Sequence, residues 1–190
     1  MTEPTVGIVG IGTYFPQQVE VAADLVERTQ IPAEILHQKM GIRQRHIAGE
    51  GDTVSYMATQ AAKRAIEQAG IDPAEIDMVI SHGSEYKDHV VWNAAGKIQQ
   101  DVGAVNAFGF EMYALCAGAP IAINIARSMM IADPSLKTVL LAAGSRENDL
   151  VNLGFVPADR LSELQGEGCG RAGADDADLG ALGQPPLRHL

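Results

Sequence analysis

The sequence predicts an α/β fold in which helices cover both faces of a mainly parallel sheet. Short apolar runs recur along the chain, and segments with helical periodicity separate them. Strands that alternate with helices favour right-handed crossovers and parallel pairing. Hydrophobic residues make up 46% of the 190 residues, which is enough for a packed core.

The N-terminal part predicts one strand, two helices and an exposed arm. Residues 6–11 (VGIVGI) form a β-branched, apolar run and are predicted to be a buried strand. Helices are predicted at residues 22–30 and 32–40, the second with a proline in its first turn. Residues 42–48 alternate apolar and polar side chains, which predicts an exposed hairpin arm.

The clearest helix is predicted at residues 53–69, where apolar side chains share one face. Asp52 or Thr53 can cap its start, and Gly70 can end it. The rest of the series consists of strands and helices in alternation, with strands at 78–81, 107–112 and 138–143 and helices at 92–102 and 118–131. The last of these helices is apolar almost all round, so it is expected to be buried on several sides.

The composition changes after residue 153. Residues 154–190 contain seven glycines, no isoleucine and one phenylalanine, and no strand or helix period is evident there. We therefore predict a folded unit at 1–153 and an atypical, glycine-rich and poorly ordered tail at 154–190. A shifted reading frame near residue 154 is one hypothesis for this change, and the coding DNA would test it.

Charge and cysteine usage exclude several classes of function. The net charge of −10 gives no electrostatic support for nucleic-acid binding. No run is expected to approach the roughly 18–20 apolar residues that span a bilayer, so no membrane partner is predicted. Cys116 and Cys169 are the only cysteines. They form no disulfide framework or metal-ligand pattern, which favours a cytoplasmic location and no metal.

Cys116 has the surroundings expected of a nucleophile. A predicted strand leads into a turn of small residues, and an apolar helix begins at Gly118. The positive end of the helix dipole favours a thiolate at this position. The same N–H groups can hold the oxyanion that forms when a thioester is attacked. The alternative is a buried structural cysteine, which is the commonest fate of a free cysteine.

Three stretches, residues 41–80, 97–120 and 138–145, resemble the ketoacyl-ACP synthase III family. The most specific motifs are Gly-Ile-Arg at 41–43, Ala-Gly-Ile at 69–71 and the cysteine turn. The resemblance covers residues from about 6 to 153 and implies the N-terminal half of a thiolase-like fold that works as a homodimer. It also implies a role in fatty acid biosynthesis without a cofactor. An acyl group would pass from acyl-CoA to Cys116, and decarboxylative condensation with malonyl-ACP would follow.

The resemblance also implies substrate contacts, with some departures. The family places a tryptophan and an arginine ahead of the Gly-Ile-Arg element, where they stack on the CoA adenine. Here Ile35 and Lys39 occupy those positions, and a lysine cannot stack as a guanidinium does. Lys39 and Arg43 remain candidate phosphate contacts, although Arg43 is equally well explained as a solvated surface residue. Gly118 leaves room for a substrate to reach the sulfur.

The loop at residues 81–89 is unusually polar. The related HMG-CoA synthases carry a catalytic glutamate here, and Glu85 lies within one position of it. Glu85 is therefore a candidate acid/base for a second kind of condensation, and a solvated loop is the alternative. His82 and His89 are interpreted as polar loop residues rather than metal ligands.

Three functions remain open. The family's second half supplies a catalytic histidine and asparagine, and residues 154–190 match neither motif. The chain is therefore an acyltransferase of the synthase III type, a Glu85-dependent condensing enzyme, or an inactive remnant or module that pairs with a related synthase. In each case the apolar helix at 118–131 would expose a large patch without a second half, which predicts dimerisation or aggregation.

Overall fold

The computed structural model describes residues 6–29, 31–83, 88–89 and 91–146. Cys169 and the predicted tail at 154–190 lie outside the described residues. The elements in chain order are β1 (Gln18–Val21), α1 (Ala22–Thr29), a π-helical turn (Ile35–Lys39), β2 (Gln44–Ile47), α2 (Val54–Ala69), a 3-10 turn (Pro73–Glu75), β3 (Met78–Gly83), α3 (Ala94–Val102), β4 (Phe108–Tyr113), a second 3-10 turn (Leu115–Ala117), α4 (Gly118–Ala132) and β5 (Val139–Gly144).

Within the described ranges, the main sheet has three parallel strands in the order β4-β3-β5. In this register Ile80 of β3 lies between Phe110 and Leu141. Helices α2 and α3 cover one face of the sheet, and α4 covers the other. This arrangement confirms the predicted α/β fold with a parallel sheet between helices.

The face under α2 and α3 is tightly closed. Val79 of β3, with Ala95 and Ile98 of α3, is completely buried, and Leu140 and Ala142 of β5 belong to the same cluster. Burying an isoleucine or valine side chain stabilises a fold by about 1.5–3 kcal/mol. This face therefore contributes most of the packing energy of the described unit.

Helix α2 begins and ends where its sequence predicts. Thr53, not Asp52, is the N-cap, and its hydroxyl accepts a hydrogen bond from the Tyr56 N–H at 3.2 Å. Gly70 follows the helix with φ of 66°, a left-handed conformation that glycine adopts without strain. An N-cap of this type contributes about 1 kcal/mol.

Helix α4 is less buried than predicted. Only Gly118, Ala122 and Ala126 are buried in it, while Ile121 and Ile123 are 41% and 45% exposed. The expectation that α4 is buried on several sides is therefore wrong for the described unit. Its described neighbours contact α4 on the side that faces the sheet, and its outer side is exposed.

The stretch Leu115–Ala132 corrects a second expectation, that no apolar run approaches membrane-spanning length. By length and composition it is long and apolar enough to cross a membrane. Its small residues pack on the sheet, as in the core helix of an α/β domain.

The predicted first strand is not formed among the residues that the structure describes. Residues 6–16 have no strand conformation, and Ile8, Val9 and Ile11 are 67–73% exposed. A strand requires a neighbour to satisfy its backbone groups, and no described strand pairs with this segment. Instead it lies on α2, where a Cβ at Gly10 or Gly12 would overlap the helix backbone.

A two-stranded antiparallel sheet forms a separate small layer, in which Val19 of β1 pairs with His46 of β2. The predicted arm at 42–48 is thus a strand, but its partner is β1, which the sequence analysis missed. Arg45 donates a hydrogen bond to the Glu20 carboxylate at 2.6 Å across the pair. The helix predicted at 32–40 is mainly a π-helical turn, Ile35–Lys39.

Candidate active site

Cys116 lies on a tight turn at the carboxyl end of the parallel sheet. Strand β4 ends at Tyr113, and the 3-10 turn leads directly into α4. Leu115, just before the cysteine, has φ of 46°, which is rare for a residue with a branched side chain. The Cys116 side chain is exposed. Open α/β sheets bind their ligands at this edge.

The start of α4 is available to a negative charge. Its N-cap is Ala117, which has no side chain that can accept a hydrogen bond from the first turn. The first N–H groups of a helix have no acceptor within the helix, and they form its positive end. Within this first turn the Gly118 N–H already donates to Leu115 O, and Pro120 has no N–H. A thiolate or oxyanion at Cys116 would therefore be stabilised mainly by the positive end of the helix dipole, with the Ala119 N–H as the nearest candidate donor.

His82 packs against the start of α4. It is the penultimate residue of β3, level with Met112 on one side and Ala143 on the other. The His82 Nδ1 atom lies 3.1 Å from the position that a Cβ on Gly118 would occupy. Burial lowers the pKa of the half-buried imidazole from its usual 6.5, so the ring is neutral near pH 7.

The placement of His82 corrects the interpretation of this residue as part of a polar loop. Alternate residues of a strand point to the same face, and Met78 and Ile80 of β3 belong to the cluster under α4. His82 continues that series. This alternation was the sequence signal that could have placed it, because the strand extends two residues beyond its predicted end.

Gly118 is buried, and its environment explains why glycine occurs there. The space that a side chain would fill is already taken by the His82 ring. Packing at the start of α4 is therefore sufficient reason for this glycine. A direct role in substrate binding stays a prediction.

Lys39 and Arg43 are close in sequence, just before strand β2. Lys39 ends the π-helical turn, Arg43 precedes β2, and Gly41 lies between them with φ of 69°. Both cationic side chains are exposed. Within the described residues, no hydrogen bond or ion pair joins either of them to the Cys116 turn.

Glu85 lies outside the described residues, so its position relative to Cys116 stays a prediction. Beyond it, Asp88 accepts hydrogen bonds from the Ser55 hydroxyl and from the Ser55 N–H at 3.3 Å, which ties this loop to α2. His89 is exposed and stacks edge-on against Trp92 at 5.2 Å. No cluster of three potential metal ligands occurs among the residues that the structure describes.

The sequence analysis missed a polar cluster near the carboxyl end of β5, where Arg146 donates hydrogen bonds to the Gly49 and Asp52 carbonyl oxygens. The Tyr14 hydroxyl donates to Asp52 Oδ1 at 2.7 Å, and the Gly49 N–H donates to Oδ2 at 2.9 Å. The Tyr14–Asp52 hydrogen bond raises the pKa of Tyr14 to about 12 and lowers that of Asp52. Both pKa values move away from neutrality, so this cluster suits structure rather than proton transfer.

Comparison with known proteins gives a consistent set of relatives, although no protein-family model matches the chain. The β-ketoacyl-[acyl-carrier-protein] synthase III of Streptomyces lividans is 34% identical over 184 residues, covering 96% of this chain and 52% of that protein. Two further proteins of the same name are covered to 36% and 41%. The chain thus spans about half or less of the length of the curated relatives it matches.

Solved structures agree with this result. The priming β-ketosynthase of the R1128 polyketide pathway superposes with a TM-score of 0.71 at 32% identity, covering 77% of this chain and 43% of that one. The 3-oxoacyl-[acyl-carrier-protein] synthase III of Aquifex aeolicus gives 0.65 at 34% identity, covering 70% and 42%. The fold is therefore part of a thiolase-like architecture, as the resemblance implied.

Proposed function

Because the chain is homologous to the β-ketoacyl-[acyl-carrier-protein] synthase III enzymes and corresponds to about half of their length, we propose that Cys116 accepts an acyl group from acyl-CoA. One observation carries the proposal: the exposed thiol lies on a strained turn directly before the uncapped start of α4. Covalent capture divides acyl transfer into two easier steps.

The proposed step exchanges one thioester for another. The Cys116 sulfur, as thiolate, attacks the carbonyl carbon of the acyl-CoA thioester and forms a tetrahedral oxyanion. The positive end of the α4 dipole stabilises that charge, with the Ala119 N–H as a candidate donor. The intermediate collapses with loss of CoA thiolate, which takes up a proton, and the acyl group remains on the cysteine. Nothing is oxidised or reduced, and no cofactor is needed.

Intact-mass measurement after incubation with a panel of acyl-CoAs tests this step. We expect an adduct of one acyl group in place of the thiol hydrogen, absent in Cys116→Ala and unchanged in the matched variant Cys169→Ala. If a protein shown to be folded by circular dichroism forms no adduct with any donor, the acyltransferase proposal fails. The chain would then be an inactive remnant or an interaction module.

The complete reaction would continue with malonyl-ACP, whose decarboxylation supplies the carbanion that attacks the acyl-cysteine. The resemblance assigns this step to a histidine and an asparagine that residues 154–190 do not match. We therefore expect this chain alone to stop at the acyl-enzyme. Release of carbon dioxide from malonyl-ACP by the purified chain would contradict that expectation.

Lys39 and Arg43 are proposed to contact CoA phosphates, since both cations are exposed on either side of the Gly41 turn. The double variant Lys39→Gln/Arg43→Gln should lower the rate of acylation by acetyl-CoA about tenfold, because each lost charge-assisted contact is worth roughly 1 kcal/mol or less. Acetyl-N-acetylcysteamine has no phosphates, so its rate should not change. An equal loss with both donors would remove the phosphate role.

Glu85 is proposed as the acid/base of the alternative condensation, in which a second acyl-CoA replaces malonyl-ACP. Glu85→Gln distinguishes the two enzymes. In the synthase III proposal the variant acylates Cys116 at the normal rate and loses nothing further. A product formed from two acyl-CoA molecules by the unmodified chain, and lost in Glu85→Gln, would favour the alternative.

We also propose that the chain pairs with a second copy or with a related synthase. The support is the apolar outer surface of α4, where Ile121, Ile123 and Ile131 are 36–45% exposed. Ile121→Glu should lower the apparent mass in light scattering, while Lys63→Glu on exposed α2 surface should not. A monomer before substitution would contradict pairing.

The exposed Cys116 thiol fits a reducing compartment such as the cytoplasm.

A further inference from the structure

The turn that carries Cys116 is fixed against the sheet mainly at one residue. Tyr113, Leu115, Cys116 and Ala117 are exposed, and the rest of the first turn of α4 is exposed as well. From residue 113 to residue 121, a range that the structure describes throughout, Gly118 is the one buried residue. What packs on Gly118 therefore decides where the turn lies.

The contact at Gly118 is made by His82. Outside the helix itself, the three heavy atoms nearest to the position of a Cβ on Gly118 all belong to that side chain, with Nδ1 at 3.1 Å and Cβ and Cγ both at 3.6 Å. Ordinary contacts between heavy atoms lie at about 3.5–4.0 Å. The imidazole thus occupies the space that any side chain at position 118 would need.

His82 projects from a firmly held strand. Strand β3 pairs with β4 on one side and β5 on the other, and His82 is level with Met112 and Ala143. Met78 and Ile80, which precede it on the same face, are completely buried under α4. The backbone that carries the imidazole is therefore fixed from both sides, which makes it a rigid support for the turn.

Two backbone hydrogen bonds connect Gly118 to the cysteine. The Gly118 N–H donates to the Leu115 carbonyl oxygen, and the Ala117 N–H donates to the Ala114 carbonyl oxygen at 2.9 Å. Cys116 lies inside both of these closed turns. A shift of Gly118 is therefore passed on to the thiol two residues earlier.

The support that His82 gives is packing rather than charge. Burial lowers the pKa of the imidazole from its usual 6.5, so the ring is neutral near pH 7. A cation there would also lie at the positive end of the α4 dipole, which is unfavourable. A flat, neutral ring without nitrogen should therefore support Gly118 equally well.

We propose that His82 is a positioning residue for Cys116. Its ring fixes the start of α4, so that the thiol stays at the positive end of the helix and keeps one orientation towards an incoming thioester. The inference rests on the proposed function, because the rate that it sets is that of acyl transfer to Cys116. His82 itself does not have to touch the substrate.

Acylation rates per folded molecule test this role, with His82→Ala as the disrupting variant and circular dichroism as the measure of folding. At saturating acetyl-CoA the rate should fall about tenfold or more, because a misplaced reacting group costs up to about a hundredfold. The acetyl-CoA concentration that gives half the maximal rate should stay within about twofold, because no donor contact is removed. A purely structural role would lower the folded fraction and leave the rate per folded molecule unchanged.

A conservative replacement and a matched control complete the series. His82→Phe keeps a flat ring, so both values should stay within about twofold of the unsubstituted chain. His89→Ala on the exposed loop should leave them unchanged. If His82→Phe were as slow as His82→Ala, a ring nitrogen rather than packing would be needed, and the proposal would be overturned.

A double-variant cycle tests the contact itself. Gly118→Ala places a methyl group against the ring, and the maximal rate should fall about tenfold. In the His82→Ala background the space is vacant, so adding Gly118→Ala should lower the rate by no more than about twofold further. Losses that multiply in the double variant would show that the two residues act independently, which contradicts the proposal.

Alkylation of Cys116 by iodoacetamide separates this inference from the proposed function, because it needs no acyl donor. His82→Ala should slow alkylation about two- to fivefold, since the thiolate loses part of its stabilisation by the helix dipole, and His82→Phe should not. That pattern without an acyl adduct in any variant would refute the acyltransferase and still support the positioning of the thiol. Unchanged acylation and alkylation in folded His82→Ala would overturn the positioning role and leave the proposed function standing.

Discussion

The two faces of the main sheet differ in how completely they are covered. Under α2 and α3, twelve buried residues form one continuous cluster. Under α4 the buried cluster has four residues, Met78, Ile80, Ala122 and Ala126, and the outer side of the helix is exposed. The covered face therefore supports the fold, while the open face carries the cysteine turn and the surface available to partners.

This difference has a chemical consequence. A residue that must react with a substrate has to remain accessible, and its supporting backbone must still be held in place. His82 and Gly118 provide that support, since the ring packs directly against the first residue of α4. The cluster under α2 and α3 stabilises the sheet on one face. On the other face Cys116 stays exposed.

Truncating one isoleucine on each face should show the largest difference. Ile98 is completely buried and Ile121 is 41% exposed. We expect Ile98→Ala to lower the free energy of unfolding by about 2–5 kcal/mol. Ile121→Ala should change it by about 0.5 kcal/mol or less. Urea denaturation measures both, and equal losses would mean that the two faces are packed alike.

Two glycine-to-alanine substitutions should have opposite signs. Gly118→Ala places a Cβ 3.1 Å from His82 Nδ1, so we expect a loss of about 1–3 kcal/mol through overpacking. Gly96 of α3 has open space at the same position, and Gly96→Ala should gain about 0.5–1 kcal/mol from helix propensity. Thermal unfolding compares them. A neutral Gly118→Ala would show that the His82 contact is loose.

Protonation of His82 should lower the free energy of unfolding at acidic pH, by less than the substitutions above. Burial holds its folded-state pKa below 6.5, so the unfolded chain binds the proton first as the pH falls. This contribution to stability is complete above pH 6.5 and is lost progressively below it. Solvent reaches the ring, so the effect should stay below about 1.4 kcal/mol.

Urea midpoints between pH 7.5 and 5.5 measure this contribution. His82→Gln should flatten the decline in stability towards acidic pH, whereas His89→Gln on the exposed loop should leave it unchanged. If both variants retain the full slope, other groups cause the acid sensitivity.

Local chemistry made much of the fold predictable. The Thr53 cap and the Gly70 terminator are properties of one or two residues, so the sequence alone places α2 within a residue. Strands β3, β4 and β5 are apolar runs between helices, and their predicted positions hold within about two residues. The cysteine turn was predicted for the same reason, since a strand, small residues and an apolar helix follow one another directly.

What could not be predicted depends on neighbours distant in sequence. Residues 6–11 have strand composition, but no described strand pairs with them, so the predicted strand is not formed among the described residues. Strand β1 is only four residues long and exists because β2 pairs with it. His82 was assigned to a loop because pairing with β4 and β5 extends β3 beyond its apolar core.

The most direct test of the central claim compares the two cysteines within one molecule. After brief exposure to acetyl-CoA and digestion at acidic pH, peptide mass spectrometry gives the acetylated fraction at Cys116 and at Cys169. Acetylation confined to Cys116 is the predicted result, since that thiol lies directly before α4, at the positive end of the helix dipole. Equal acetylation of both cysteines would show ordinary thiol exchange and would contradict a nucleophile built by the fold.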